Sequence, residues 1–246
     1  MVYMHGSLSA SYPAQGSKAI VLRERVYRFL KEQLNQGILS PGSFMDLKAI
    51  GTALGISRTP LRDALIRLEA EGFVTIHSRR GVMVNELDLE AVRNAYQLVG
   101  ALETAAIMEC GPLMNDRDFA VMEALNGGMG DALAQDDFNA YYEQNLAFHC
   151  TYIDKSANSE LRNLISMHRE RLYDFPRRQA YLKAWELNGV IEHAELLRRM
   201  RQGDFVSAAT YSREVHWSFA MQEKFVNEYY FARISDNEPE ITQGGS

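Results

Sequence analysis

Along the first third of the chain, apolar positions recur at helical spacing and are interrupted by short, turn-rich connections. Ile20, Val26, Phe29, Leu30 and Leu34 fall on one face of a helix that begins near Ser17 and ends near Gly37. The run Ile38-Leu39-Ser40-Pro41-Gly42 stops it, because proline fixes one backbone angle and glycine permits the positive one. A short second helix over about residues 46–54 puts Leu47, Ile50 and Leu54 on one face. After the tight connection Gly55-Ile56-Ser57 a third helix starts, with Ser57 as its expected cap and Pro60 in a first turn that has no use for the missing N–H. It carries Leu61, Ala64, Leu65 and Leu68 and closes at Gly72. Two β-like runs, 73–76 and 82–84, flank His77-Ser78-Arg79-Arg80-Gly81 and predict a hairpin with a basic tip.

From Asp88 onward the period is helical throughout. Helices are expected at about 88–110, 116–134, 137–154, 158–183, 188–202 and 204–230, with breaks at Gly111-Pro112, Asp136, the Ser156 region, the Trp185 region and Gly203. The pattern defines a mainly α protein: an N-terminal winged helix-turn-helix over 18–85 and a C-terminal antiparallel α-helical bundle over 86–232. Residues 1–17 contain no Asp, Glu, Lys or Arg and read as a flexible arm, and the polar stretch 233–246 reads as a disordered tail.

Charge sharpens this division. The net charge of -6 conceals 11 Lys/Arg against 6 Asp/Glu in residues 18–85, a net of +5, and 15 against 26 in residues 86–246, a net of -11. A basic module on an acidic body is what a nucleic-acid-facing head requires. A hydrophobic fraction of 46% with 24% charged residues excludes a disordered chain. Cys110 and Cys150 are too few for a disulfide framework and read as free thiols in helices. No run of ~18 apolar residues is present to span a bilayer. The first residues lack the charged start and apolar core of a signal peptide, so a cytoplasmic location is expected.

Two helices joined by a turn and followed by a basic hairpin place the second helix of the pair in the DNA major groove. Arg58 and Arg62, four residues apart, share the face that would meet the bases, and an arginine fork can take guanine O6 and N7 together. Ser57, Thr59 and Lys48 suit phosphate contacts, and Arg79 and Arg80 beside Gly81 suit the minor groove or the backbone. In the second half, His149 follows Asn145 by four residues, while His193 and His216 lie on later helices. Three imidazoles with an oxygen donor can enclose a divalent transition metal, although a single histidine in a helical core is more often simply hydrogen-bonded. His5 and His77 have no such partners and are assigned no site.

At Gly37-Ile38-Leu39-Ser40-Pro41-Gly42, Ala53-Leu54-Gly55-Ile56-Ser57-Arg58-Thr59-Pro60-Leu61-Arg62-Asp63-Ala64-Leu65, Arg67-Leu68-Glu69-Ala70-Glu71-Gly72 and Arg79-Arg80-Gly81 the chain resembles the GntR family of bacterial regulators. Leu102-Glu103-Thr104-Ala105-Ala106, Asn145-Leu146-Ala147-Phe148-His149, Asn158-Ser159-Glu160-Leu161, Glu192-His193, Gly203-Asp204 and His216 resemble the helical effector domain of its FadR class, called FCD. The resemblance implies a homodimer on a palindromic operator in double-stranded DNA, and no membrane partner. It also implies a metal, Zn or Ni, held by Asn145, His149, His193 and His216, beside a cavity for a small carboxylate effector. Two departures stand out. Asn145 replaces the usual Asp, which weakens the hold on a cation, and Val99 stands where an arginine commonly faces the cavity. Val99, Tyr142, His168 and Arg171 are the expected effector-pocket residues, with Arg162 and Arg169 as further cations nearby. The expected function is a ligand-controlled repressor and not an enzyme. The alternatives are a regulator that senses the metal itself, or a metal-dependent hydrolase for which Glu143 and Glu192 are the nearest acids to the histidines.

Overall fold

Residues 18–86, 88–173 and 182–231 are described by the computed structural model, and separate apolar clusters organise the head and the helical body. In the head, α1 (Lys18–Asn35) buries Val26, Tyr27, Leu30 and Leu34 against Leu61, Ala64, Leu65 and Leu68 of α3 (Arg58–Ala70). Between them, α2 (Leu47–Leu54) starts at Asp46, whose carboxylate accepts the amides of Lys48 and Ala49. It ends at Gly55, where φ of 62° is left-handed backbone that favours glycine.

Two local expectations are corrected here. Ser57 has extended backbone and makes no side-chain cap bond, so its exposed hydroxyl is not spent on the helix. The hairpin is shifted by one residue: β1 (Val74–His77) pairs antiparallel with β2 (Gly81–Val84), with Val74 opposite Val84 and His77 opposite Gly81. Phe73 is excluded from the strand because its amide is taken by the Leu68 carbonyl as α3 closes. The wing tip is therefore Ser78-Arg79-Arg80, with Arg79 at φ 69°. A feature the sequence pattern did not mark is a third extended segment: Phe44 bridges Met83, and the amides of Gly42 and Met45 bond the carbonyls of Val84 and Val82.

The body consists of α4 (Leu89–Cys110), α5 (Asp116–Ala134), α6 (Phe138–Ile153), α7 (Ser159–Tyr173), α8 (Lys183–Arg201), α9 (Phe205–Tyr211) and α10 (Phe219–Val226). Each of α4, α5, α6 and α9 opens on a polar cap: Asp88, Asn115 with a reciprocal bond from Asp118, Asp137 and Asp204. The break expected near Trp185 falls a few residues earlier: Leu182 is extended, its carbonyl accepts the Trp185 and Glu186 amides, and α8 starts at Lys183 and runs through Trp185. The expected single helix over 204–230 is interrupted by π turns at Ser212–His216 and Asn227–Phe231. The flexible arm over 1–17, the tail, and residues 174–181 of the expected fourth body helix lie outside the described residues.

The main body cluster joins α5, α6, α8 and α9 through side chains such as Met122, Leu133, Phe148, Leu196 and Ala208. A smaller cluster beneath α4 holds Val92, Tyr96, Val99, Leu172 and Trp217. α4 touches α6, α7, α9 and the first π turn, so polar groups on its inner face meet side chains from most of the bundle. Head and body are tied by Lys31 of α1, 2.8 Å from Glu170 of α7. Among the described residues no helix is long and apolar enough to cross a membrane.

Candidate nucleic-acid interface and metal centre

The helix-turn-helix presents Lys48, Ser57, Arg58, Thr59 and Arg62 as exposed side chains at the start of α2 and α3, and the wing presents Arg79, Arg80 and Gly81. α3 is oriented by its apolar face, which is buried at Pro60, Leu61, Ala64, Leu65 and Leu68 and so turns Arg58 and Arg62 outward. Neither arginine makes an ion pair with a described residue, and neither does Arg79 or Arg80. Arg67, one further turn along α3, behaves differently. It binds Glu24 and Glu71, each at 2.9 Å, and lies 3.6 Å from the Tyr27 ring centroid. Its charge is used inside the head, whereas those of Arg58 and Arg62 remain available to an external anion.

In the body, α6, α8 and the first π turn bring His149, His193 and His216 together, with one ring nitrogen of each within 4.8 Å of the others. His149 Nε2 lies 3.1 Å from His193 Nε2. Asn145, one turn before His149, is buried beside them. The π turn is what delivers His216: a wider turn rotates the chain relative to a regular helix, a device common at functional sites.

Two buried carboxylates orient the rings. Glu103 Oε2 accepts the Tyr152 hydroxyl at 2.6 Å and the Trp217 indole N–H at 2.9 Å, and it lies 3.1 Å from His149 Nδ1. Glu192 Oε2 lies 2.7 Å from His216 Nδ1, while its other oxygen accepts the amides of Asn188 and Gln222. A carboxylate at Nδ1 fixes the proton there and leaves Nε2 as a lone-pair donor, the arrangement that sharpens imidazole as a metal ligand. Burial pushes the Glu103 carboxyl up, but His149, Arg169 and Tyr152 outweigh it and bring it down to about 2. Burial also drives His149 down to about 4 against the pull of Glu103, and drives His193 well below the ordinary imidazole range. These two shifts favour the neutral ring of His149 and His193, the form in which imidazole is a ligand.

The unsatisfied buried atoms test whether this centre suits an ion. Asn145 Oδ1, His193 Nδ1 and His216 Nε2 are all buried without a hydrogen-bond partner. Native interiors rarely leave such atoms unpaired, and four nearby N and O donors match a borderline divalent metal. The residues fit. Sequence reasoning missed the roles of Glu103 and Glu192: the first stood only within a family-like run, and the second only as an acid beside a histidine. As a base, Glu192 is committed to His216, Gln222 and Asn188, and Glu143 is exposed.

The expected effector residues do not share one place. Val99 is fully buried in the apolar cluster with Tyr96, Leu172 and Trp217. His168 and Arg171 line neither of the two cavities described here, and Arg171 instead packs its guanidinium against Gly72 of the head. A narrow cavity of about 30 Å³ adjoins Asn145, His193 and His216, walled by Tyr96, Tyr141, Trp185 and Trp217 with Glu186 and Glu192. Burial raises the Glu186 carboxyl to about 7 despite a Tyr141 hydrogen bond. Tyr142 lines a separate cleft of about 320 Å³ between α6 and α7.

A helix-turn-helix head with exposed arginines, joined to a helical body with a buried histidine cluster, is the arrangement the comparisons place among bacterial regulatory proteins. Residues 22–84 match the family described as bacterial regulatory proteins, gntR family, and residues 94–216 match the FCD domain. The chain belongs to the GntR family and carries an FCD domain. It is 23% identical over 128 residues to the HTH-type transcriptional repressor RspR of Escherichia coli, covering 52% of this chain and 56% of that one. It is 28% identical over 140 residues to the Nta operon transcriptional regulator of Aminobacter aminovorans, covering 54% and 62%. The matched region thus spans little more than half the length of these relatives. Among solved structures, E. coli McbR/YncC superposes with a TM-score of 0.66 at 21% identity, covering 85% of this chain and 97% of that one. A GntR regulator from Rhodococcus sp. RHA1 gives 0.60 at 17%, covering 88% and 99%. Both share the fold.

Proposed function

We propose that this chain is a homodimeric transcriptional repressor whose operator affinity is set by a small organic acid acting in the C-terminal domain beside a metal. The observation that carries the DNA-binding half is the exposed, unpaired pair Arg58 and Arg62 at the start of a helix whose other face is locked into the head core. Two copies related by a two-fold axis would set these helices about one DNA turn, roughly 34 Å, apart on a palindrome. The effector shifts the balance between arrangements that match this spacing and arrangements that do not. The relative named as a repressor supports the sign of regulation.

Arg58→Ala and Arg62→Ala each weaken binding to a specific operator by about 10- to 100-fold, the worth of a bidentate base contact. Fluorescence anisotropy with specific and scrambled duplexes measures this, and circular dichroism checks the fold. Unchanged preference for the specific duplex would overturn the assignment.

Asn145, His149, His193 and His216 would hold the ion, Zn or Ni in character. When bound it supplies a positively charged Lewis-acid centre to which an acid effector can attach. Such a charge is needed there, because the adjoining cavity is lined by two glutamates and, among the described residues, by no lysine or arginine. Glu103 and Glu192, one step behind the histidines, supply the negative charge that Asn145 lacks. An Asn145→Asp variant retains metal against a chelator about tenfold better, read by metal analysis after competition dialysis. Equal retention would remove Asn145 from the ligand set. The link from His216 through Glu192 and Gln222 to Trp185 also supports a second reading, in which the metal itself is the signal. Loss of operator binding on chelation, with no added acid, favours that reading.

A further inference from the structure

The donors and acceptors of the narrow cavity beside the histidines are unevenly used. Three N–H groups on its wall are already spent. Trp185 donates to Gln222 at 2.9 Å, Trp217 donates to Glu103 at 2.9 Å, and the Gln222 amide donates to Glu192 at 3.0 Å and to the Val215 carbonyl at 3.4 Å. The two carboxylates on the wall differ. Glu192 is answered by His216 at 2.7 Å and by the amides of Asn188 and Gln222. Glu186 is half-buried, accepts the Tyr141 hydroxyl, and forms no ion pair with a described lysine or arginine. The rings of Tyr96, Tyr141, Trp185 and Trp217 wall the same cavity. Gly189, one turn after Glu186 on α8, keeps it open, since an added Cβ would stand 3.3 Å from the Tyr141 hydroxyl. A volume of about 30 Å³ admits only a compact ligand.

We infer that the ligand of this cavity brings a positive charge of its own: it is a small zwitterion of the amino-acid type, whose ammonium group meets Glu186 and the aromatic wall while its carboxylate faces the histidine centre. The inference rests on the acid-effector reading above and narrows it. A plain carboxylate would bring negative charge into a cavity that holds Glu186 and, among the described residues, no lysine or arginine. An ammonium group supplies the donors that the wall lacks, and aromatic faces beside a carboxylate attract it through ring quadrupole and charge together. Glu186 is then the residue that selects an amino acid over the same acid without its amine.

The chain's two tryptophans, Trp185 and Trp217, both line this cavity, so intrinsic fluorescence of the full-length protein reports its occupancy. Titrations of zinc-loaded protein compare glycine, β-alanine and 4-aminobutyrate with acetate, propionate and butyrate, pairs that differ only by the ammonium group. At least one amino acid binds about tenfold more tightly than its plain acid. Glu186→Gln, which keeps an acceptor for Tyr141 and removes the charge, brings that pair to within about twofold. Gly189→Ala crowds the cavity with every charge in place and weakens both members of the pair, which keeps the inference testable if Glu186→Gln misfolds. Ethylammonium, which has no carboxylate, perturbs the same fluorescence in EDTA-treated protein. Equal affinity within every pair, a preference that survives Glu186→Gln, binding indifferent to Gly189→Ala, or no response to any amine overturns the inference. Failure of the acid-effector reading has a different signature: acids and amino acids bind no better with zinc than after EDTA, while ethylammonium still acts and the ammonium site stands.

Discussion

Glu103 accepts two neutral donors and faces an imidazole and a guanidinium, all inside the bundle. A buried carboxylate is tolerated only when its charge is answered in this way, and here the answers come from α6, α7 and the segment after α9. Acid sensitivity of the metal-free protein follows. The imidazole of His149 binds a proton near pH 6.5 when unfolded but only near 4 when folded, so its contribution is complete above 6.5 and is lost as pH falls toward 4. Glu103, lowered from 4.5 to about 2, adds to the loss once pH falls below 4.5. The urea midpoint of chelator-treated protein is therefore level above pH 7 and drops steadily between pH 6.5 and 4. A midpoint independent of pH over that interval would show that the cluster does not titrate on unfolding.

α7 is the element that joins the parts. Arg169 faces Glu103, Glu170 pairs with Lys31 of α1, and Arg171 lies over Gly72 at the end of α3. Lys31 also sits 3.6 Å from the Phe73 ring centroid, so the same contact reaches the start of the wing. Three consecutive residues of one helix thus touch the histidine network and two places in the head. Gly72 is confined by both conformation and space: its φ is +80°, and an added Cβ would stand 3.0 Å from the Arg171 guanidinium carbon. Gly72→Ala costs about 1 to 2 kcal/mol in thermal or urea unfolding, from the left-handed backbone and displacement of Arg171. Arg171→Ala on that background relieves the crowding but not the backbone cost, so it restores part of the loss. No loss in Gly72→Ala would mean that the joint is looser than these contacts require.

At the scale of the whole molecule, charge separation bears on how the proposed operator would be approached. A head of net +5 on a body of net -11 presents only one face to a polyanion and repels it elsewhere. Arg79 and Arg80 are exposed at the wing tip, and in the proposed complex they would act by phosphate neutralisation or minor-groove contact. Replacing either with alanine lowers the slope of log K against log salt by about 1, with a smaller effect on sequence preference than Arg58→Ala. Parallel salt titrations of the two variants and the parent give both numbers, and an unchanged slope would take the wing off the DNA.

Periodicity and caps were enough for most elements, because α4, α5 and α6 are specified locally by Asp88, Asn115 and Asp137 followed by amphipathic runs. The same local chemistry marked the recognition helix, since Arg58 and Arg62 stand outside its apolar stripe in the sequence itself. Where elements lean on one another, the sequence alone was insufficient. The hairpin register depends on α3 taking the Phe73 amide, and the third wing segment depends on backbone bonds to residues about forty positions away. The π turn that turns His216 inward has no spacing signature of its own. Asn145 and the three histidines were visible as donor types, but their convergence, and the carboxylates that orient them, exist only once α4, α6, α8 and the π turn are packed together. Val99 shows the limit in the other direction: a position expected at a cavity is closed inside an apolar cluster, and arginines on α7 line a different cleft. Local sequence determined which segments are helices and which face of α3 is basic, because backbone preference and hydrophobic period act over a few residues. The tertiary structure decided which polar side chains share a site, because burial and electrostatic partnership are set by the whole packed chain.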